Sequence, residues 1–196
     1  MERKGPNFFL AFQITNPGLL ESLRGVQYNC VQENRKLKEL IAPLETAHVG
    51  IGVFRVEDER LEEVKTILRD VFEKYRAEQK EDDNRSVTFK GLDMFGESVL
   101  FAKPDKGIEF IRKLHKISND ALKKAEIKMF EFENFNPHIT LFKSNNHLRE
   151  IPTTCKKAIG DVELGSQDVE DIGLLSIPKP REDNGYYYTE EVYNLA

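Results

Sequence analysis

The sequence is poor in the features on which disulfide-rich, zinc-binding and membrane-spanning proteins depend. Its two cysteines, Cys30 and Cys155, lie far apart, which argues against a disulfide framework and against a zinc knuckle. No apolar run approaches the roughly 20 residues that span a bilayer. The first residues are charged and then strand-like, without the apolar core and small-residue cleavage site of a signal peptide. We therefore expect no membrane span and a location in the cytoplasm or the nucleus.

An excess of positive charge is also missing. The formal net charge is −5 at pH 7, whereas a protein that binds duplex DNA presents a broad basic surface. We therefore expect no duplex DNA partner, although a small basic spot inside a cleft is compatible with this balance. With 196 residues, 39% hydrophobic and 32% charged, the chain has an ordinary globular composition and the length for one sizeable core. We predict one domain over residues 1–196 and a monomer.

What the sequence does contain is an alternation of strand-like and helix-like segments. Asp58 is predicted to cap the second helix, and "DMFGE" at residues 93–97 is predicted to turn a hairpin. The predicted strands cover residues 7–15, 47–54, 86–92, 98–103, 135–143, 170–178 and 186–195, and the predicted helices cover residues 18–42, 58–75 and 104–127. The order β, α, β, α, ββ, α, β, ββ favours an α+β or α/β domain of two similar lobes.

One predicted strand, "FNPHITLFK" at residues 135–143, carries a histidine and a threonine two positions apart. Residues i and i+2 share a face of a strand, so His138, Thr140 and Phe142 are predicted to face one way. Ile139 and Leu141 face the other way and suit a core. Two polar groups in a core would each need a partner, so they are either satisfied structurally or face a cavity.

A second strand, "AHVGIGVF" at residues 47–54, carries a histidine in a similar setting. Val49, Ile51 and Val53 are predicted on one face, and the opposite face carries His48, Gly50, Gly52 and Phe54. Glycine weakens a strand interior and often marks a close approach by another group. The face beside His48 is therefore predicted to leave space for such a group. Singly, each histidine is more often structural. As a pair, both imidazoles are predicted to face one cleft if the two lobes are related by an approximate two-fold axis.

The other two histidines give no specific functional signal, and the sequence contains no metal-binding motif. His115 lies within a predicted helix, where a solvent-facing or half-buried histidine is expected, and His147 lies in a polar region without a specific signal. No HExxH motif, cysteine pair or carboxylate at metal-ligand spacing accompanies the histidine pair, so we expect no metal. A phosphate-cradling glycine loop is also missing, and we expect no cofactor.

In these motifs the sequence resembles the 2H phosphoesterase superfamily, and within it the nucleotide-binding central domain of gamma-type A-kinase anchoring proteins. Besides the two histidine motifs, "PNFFLAFQITN", "FKGLDMFGESVLFAK" and "DNGYYYTEEV" resemble segments of that group in the right order over nearly the whole chain. The resemblance implies an α+β, bilobal fold. Two pseudo-symmetric lobes of antiparallel sheet, with outer helices, would enclose a central groove across which the motifs face each other without a metal.

The resemblance also implies a reaction on 2′,5′-oligoadenylate, AMP or CMP, or short RNA. His48 and His138 would share the roles of general acid and general base, because two imidazoles of ordinary pKa near 6.5 can divide these roles near neutral pH, and the sequence leaves open which of them is the base. Thr140 would donate a hydrogen bond to a non-bridging phosphate oxygen. The first motif departs from the family pattern, because Gly50 stands where a threonine or serine is expected. Losing one well-placed donor can cost on the order of 10²–10³ in rate.

In addition to Gly50, several other residues are candidates for binding the substrate. Lys143 could bring positive charge to the mouth of the groove, or it could be an ordinary solvated lysine. Phe95, Phe101 and one of the tyrosines at 186–188, Tyr187 among them, are candidates to stack on a base, although each is singly more typical of a core.

Three functions therefore stay open at the level of sequence. The first is a metal-independent 2′,5′-phosphodiesterase, and the second is a nucleotide-binding module that Gly50 has deprived of turnover. The third is a scaffold for a kinase regulatory subunit, which would need an amphipathic anchoring helix. We rank it last, since the last predicted strand ends just before Ala196 and we expect no such helix after it.

Overall fold

The computed structural model describes residues 5–80, 83–131, 134–144 and 160–196. Short 3₁₀ turns cover Arg35–Leu40, Leu44–Thr46 and Asp58–Arg60. The longer elements, in chain order, are β1 (Phe8–Gln13), α1 (Pro17–Glu33), β2 (His48–Arg55), α2 (Leu61–Glu78), β3 (Ser86–Phe95), β4 (Val99–Lys106), α3 (Ile108–Lys124), β5 (Lys128–Met129), β6 (Ile139–Lys143), β7 (Glu163–Asp168), β8 (Asp171–Ser176) and β9 (Thr189–Asn194).

The strands form two sheets. The first sheet has the order β5-β2-β1-β8-β9 and the second has the order β6-β4-β3-β7. Every strand pairing within the described ranges is antiparallel. The fold is therefore α+β, as the resemblance implied, and the α/β alternative is wrong.

An internal repeat relates the two sheets. In each half a strand is followed by a helix and then by a strand that pairs antiparallel with the first: β1–α1–β2 in one half and β4–α3–β6 in the other. The helices are exchanged, because α1 packs on β7 and β6 of the second sheet, whereas α3 packs on β2 and β5 of the first. A single cluster of buried side chains includes residues of both sheets and all three helices. Strand β2, which begins at His48, and strand β6, which begins directly after His138, are thus equivalent elements that pack on the same core.

The helix predicted from the apolar spacing after Asp58 is confirmed, but it begins later than predicted. The buried face of α2 consists of Val64, Leu68, Phe72 and Tyr75. Asp58 does not cap this helix: it opens the 3₁₀ turn, and α2 begins at Leu61.

The first helix ends earlier than predicted. Asn34 is extended, and its side chain accepts a hydrogen bond from the backbone N–H of Lys36 at 3.1 Å. This polar cap starts a separate 3₁₀ turn, which competes with continuation of α1, so the helix stops at Glu33 and not at residue 42.

The third helix begins later than predicted, because the preceding strand continues to Lys106. Pro104 and Lys106 pair with Phe89 and Thr88 in the hairpin of β3 and β4. Gly107 then makes the turn into α3 with a φ of 84°, and a Cβ there would lie 2.7 Å from the Ser86 carbonyl oxygen. Only glycine fits this turn without strain.

The strands near the C-terminal end also differ from prediction. The polar strand β7 and the two-residue strand β5 were not predicted, and β9 covers only Thr189–Asn194 of the predicted 186–195. The tyrosines at 186–188 therefore precede the strand. Among the helices in the described part of the chain, none combines the length and apolar character needed to cross a bilayer.

Candidate functional site

Both motif histidines are anchored to the backbone in the same way. His48 is the first residue of β2, and His138 directly precedes β6. The ring Nδ1 of His48 lies 2.7 Å from the carbonyl oxygen of Thr46, and Nδ1 of His138 lies 2.8 Å from that of Asn136. A carbonyl oxygen only accepts hydrogen bonds, so Nδ1 carries the proton in each ring. The neutral imidazoles therefore present Nε2 as the basic nitrogen.

A register shift sets the faces of β2. Gly50 pairs with Ala11, but Gly52 pairs with Leu10, so Ile51 is an extra residue on β2 with no partner on β1. The alternation of faces changes there. Phe54 is fully buried in the core and does not share a face with His48, which corrects the prediction.

The two glycines of β2 consequently have different surroundings. An added Cβ at Gly52 would overlap the side-chain oxygen of Asn119 on α3, so this glycine allows the helix to approach the strand. An added Cβ at Gly50 would meet nothing within 4 Å. The prediction that both glycines clear space beside His48 is therefore wrong for Gly52 and consistent with the structure for Gly50.

The same register shift occurs in β6. Thr140 pairs with Phe101, but Phe142 pairs with Leu100, so Leu141 is the extra residue. Thr140 is partly buried, whereas Phe142 is fully buried in the core. The prediction that Phe142 shares the face of His138 is therefore wrong. In both strands the extra residue comes three positions after the histidine, so Gly50 and Thr140 occupy equivalent positions.

Each histidine contacts two aromatic rings, which also contact each other. The ring centroid of His48 lies 5.2 Å from that of Phe9 and 5.4 Å from that of Tyr187. The sequence analysis missed Phe9. Its place on the same face of the strand as small Ala11, two positions on, is the signal that could have found it.

The second aromatic pair has the same arrangement around His138. The ring centroid of His138 lies 4.8 Å from that of Phe95 and 5.2 Å from that of Phe101, and the two phenylalanine rings stack at 4.1 Å. Of the predicted stacking residues, Phe95, Phe101 and Tyr187 are therefore brought to the histidines. Phe101 is 2% exposed, so little of its ring face is open to a ligand.

Positive charge accompanies both histidines. The guanidinium carbon of Arg181 lies 3.4 Å from the ring centroid of Tyr187, and Arg181 lies close enough to His48 to lower its pKa. Lys143, the exposed last residue of β6, likewise lowers the pKa of His138. The sequence analysis missed Arg181, because a single arginine within the turn "KPREDNG" has no distinctive pattern.

Burial lowers the pKa of both imidazoles. Burial is the main cause that lowers the pKa of His48 to about 4; the Thr46 carbonyl opposes this, and the charges of His138 and Arg181 add to it. Burial also lowers the pKa of His138, again opposed by its carbonyl partner Asn136. His48 is therefore neutral at neutral pH. The effect of His138 on His48 also means that the two rings lie within electrostatic reach of each other.

The remaining candidates lie elsewhere. His115, on α3, is partly buried, whereas His147 and Cys155 lie outside the described residues. Within the described ranges, no group of three or more His, Cys, Asp or Glu side chains is arranged to hold a metal ion.

Comparison with known proteins agrees with the fold and the histidine motifs described above. The sequence profile of the AKAP7 2′5′ RNA ligase-like domain matches residues 6–195. Human A-kinase anchor protein 7 isoform gamma is 23% identical over 196 residues, which cover 94% of this chain and 56% of that protein. The chain thus spans little more than half the length of this curated relative.

Solved structures share the fold at low sequence identity. TT0787 of Thermus thermophilus superposes with a TM-score of 0.67 at 17% identity, covering 96% of this chain and 97% of that one. E. coli LigT complexed with ATP superposes with a TM-score of 0.61 at 12% identity, covering 98% and 99%. Together with the profile match over nearly the whole chain, the paired histidine strands identify this protein as a member of the AKAP7 2′5′ RNA ligase-like family, with the fold of the LigT-like 2H phosphoesterases.

Proposed function

We propose that this protein is a metal-independent phosphodiesterase that cleaves 2′,5′-linked oligoadenylate or a related short RNA. One observation carries this function: two imidazoles at equivalent positions of repeated strands, each held through Nδ1 so that Nε2 is available. Phosphodiester cleavage needs a proton removed from the attacking oxygen and another given to the leaving oxygen, which two such nitrogens supply.

We assign His48 as the general base and His138 as the general acid. The lowered pKa of His48 keeps its Nε2 unprotonated at neutral pH. In a 2′,5′-linked substrate the 3′-hydroxyl loses its proton to His48, and its oxygen forms a bond to phosphorus while the bond from phosphorus to the 5′-oxygen breaks. The 5′-oxygen takes a proton from His138, whose pKa the bound phosphate anion raises. The products are a 2′,3′-cyclic phosphate and a free 5′-hydroxyl.

The substrate contacts follow from the same arrangement. Thr140 is the donor to a non-bridging phosphate oxygen, and Lys143 adds positive charge on that side. Tyr187, together with Arg181 on its face, is the stronger candidate to bind a base or ribose; Phe95 is the corresponding ring beside His138. A nucleotide ligand is consistent with the related E. coli LigT, which has been crystallised with ATP.

A second function, nucleotide binding without turnover, is favoured by Gly50. This residue lacks the hydroxyl that Thr140 provides at the equivalent position, so one donor to the developing charge is missing. A module of this kind would bind AMP or CMP and release no product. A kinase-scaffold role, which the name of the human relative suggests, ranks third, because this chain spans little more than half of that protein.

Cleavage of 2′,5′-, 3′,5′- and 2′,3′-cyclic substrates in excess EDTA separates these functions. Persistent cleavage that disappears in both His48→Ala and His138→Ala supports the phosphodiesterase, with the exposed Tyr28→Ala as an active control. Abolition by EDTA alone contradicts it. Calorimetry with AMP and CMP that detects binding while long incubation yields no product supports the second function.

A further inference from the structure

The carbonyl of Ile51 is held by side chains from helix α3. The register shift leaves Ile51 without a partner on β1, and on its other side β2 pairs with β5 only at Phe54 and Arg55. Nδ1 of His115 lies 2.7 Å from the Ile51 carbonyl oxygen and 2.7 Å from the side-chain nitrogen of Asn119. The side-chain nitrogen of Asn119 donates to the same oxygen at 3.3 Å. The helix therefore fixes the point at which β2 changes face.

The ring of His115 also contacts the segment that leads into the second histidine motif. Its centroid lies 3.8 Å from that of Phe135, and the two ring planes differ by 1°. Phe135 comes three residues before His138, and Ile51 comes three residues after His48. One imidazole thus touches both histidine segments, through its edge on one side and its face on the other.

The other half of the molecule holds its extra residue in a similar way. The Leu141 carbonyl oxygen accepts a hydrogen bond from the side-chain nitrogen of Gln27 on α1 at 3.1 Å, and from the Ala42 N–H at 2.9 Å. A polar side chain from the exchanged helix therefore captures the extra carbonyl in both strands. Recurrence in two independent strands indicates that the contact belongs to the architecture of the site and not to chance packing.

We propose that His115 is a positioning residue that sets the distance between His48 and His138. The proposal rests on the two-histidine function above. Acid and base must contact the same phosphodiester, and a misplacement on the order of 1 Å costs on the order of 100-fold in rate. A planar ring clamped between a strand carbonyl and an aromatic face resists such displacement better than two independent segments do.

Three substitutions test the two contacts of His115 separately. His115→Asn retains a polar group near the position of Nδ1 without the ring, His115→Phe retains a stacking ring without the polar group, and His115→Ala removes both. Lys116→Ala is the matched control, since Lys116 is the exposed neighbour on α3 and pairs with Asp120 across one turn. Thermal unfolding of each variant measures how much folded protein the assay contains.

The expected result is a loss of kcat in folded protein with little change in KM. We expect a decrease of about 100-fold for His115→Ala and a partial recovery in His115→Asn and His115→Phe, because each restores one contact. Should the alanine variant unfold, the other two variants carry the test. Rates that match the control, or that fall only in proportion to unfolded protein, overturn the proposal.

A second measurement does not depend on turnover. NMR titration gives the pKa of His48 in the presence and in the absence of the His138 imidazole, with His138→Gln supplying the second case. The pKa difference reports the distance between the rings. We expect this pKa difference to be smaller in His115→Ala, because the rings lie farther apart. If the wild-type protein neither cleaves nor binds nucleotides, the proposed function fails, yet this difference still tests the role of His115. An unchanged difference overturns it.

Discussion

Replacement of Gly50 by threonine tests whether a missing hydroxyl limits the reaction. Gly50 occupies the position in β2 that Thr140 occupies in β6, two residues after the histidine and directly before the extra residue. A Cβ built at Gly50 meets nothing within 4 Å, and the backbone there is not in the left-handed region that only glycine tolerates. The Cβ of a threonine therefore fits without displacing a neighbour.

The expected change in rate follows from the donor that is restored. One well-placed donor to developing negative charge is worth on the order of 10²–10³ in kcat. We expect kcat of Gly50→Thr in the 2′,5′-oligoadenylate assay to rise by up to that factor, with a small change in KM, because the donor acts most strongly in the transition state. A β-branched residue in a strand should also raise the free energy of unfolding by about 0.5–1 kcal/mol.

Gly50→Val is the matched control, because valine has the shape of threonine without the hydroxyl. It should show the gain in stability and no gain in rate. An equal rise in kcat for valine and threonine would attribute the effect to a stiffer strand and refute the donor argument. A fall in kcat for both, with wild-type stability, would mean that the substrate itself uses the open space beside His48.

Three further predictions concern the surroundings of the site. Since His48 has a pKa of about 4 when folded and an ordinary value near 6.5 when unfolded, the unfolded state binds more protons between these values. The free energy of unfolding should therefore fall by up to about 3 kcal/mol as pH drops from 6.5 to 4, and urea titrations should find a smaller fall in His48→Asn. Gly52→Ala should lower the free energy of unfolding by about 1–3 kcal/mol, because its methyl group overlaps Asn119; preserved chemical-denaturation midpoints would contradict this. Arg181→Ala should weaken AMP binding by about 3- to 30-fold in calorimetry and raise the pKa of His48, whereas the exposed Arg112→Ala should change neither.

Much of the fold could be predicted from local patterns. The apolar spacing that identified α2, the aromatic and β-branched residues of β1 and the glycine-containing turn between β3 and β4 are all signals within a short segment of sequence. The polar strand β7 could not be predicted, because its sequence "ELGSQD" has little of the apolar or β-branched character that marks a strand. The conformation of β7 depends on its pairing with β3, which lies more than 70 residues earlier in the chain. A short window of sequence does not contain this information.

The errors within the site have one common physical cause. Strict alternation assigned Phe142 and Phe54 to the histidine faces, and both are fully buried. The register shifts at Leu141 and Ile51 reverse the alternation, and each depends on the neighbouring strand and on a helix side chain that captures the freed carbonyl. A single strand's sequence does not contain that information. The histidines themselves precede the shift, so the alternation from His48 to Gly50 and from His138 to Thr140 is unaffected.

The repeated architecture makes the chemical differences between the two halves informative. Backbone anchoring and register shift are the same for both histidines, and each histidine contacts two aromatic rings. The side chains are not: the half with Thr140 offers a hydroxyl donor, whereas the half with Gly50 lacks one. A donor holds an anion, and the neutral imidazole of His48 suits an uncharged hydroxyl that must lose its proton. In the proposed reaction the phosphate should therefore bind toward the second sheet and the attacking hydroxyl toward the first, which assigns a direction to the reaction between the two histidines.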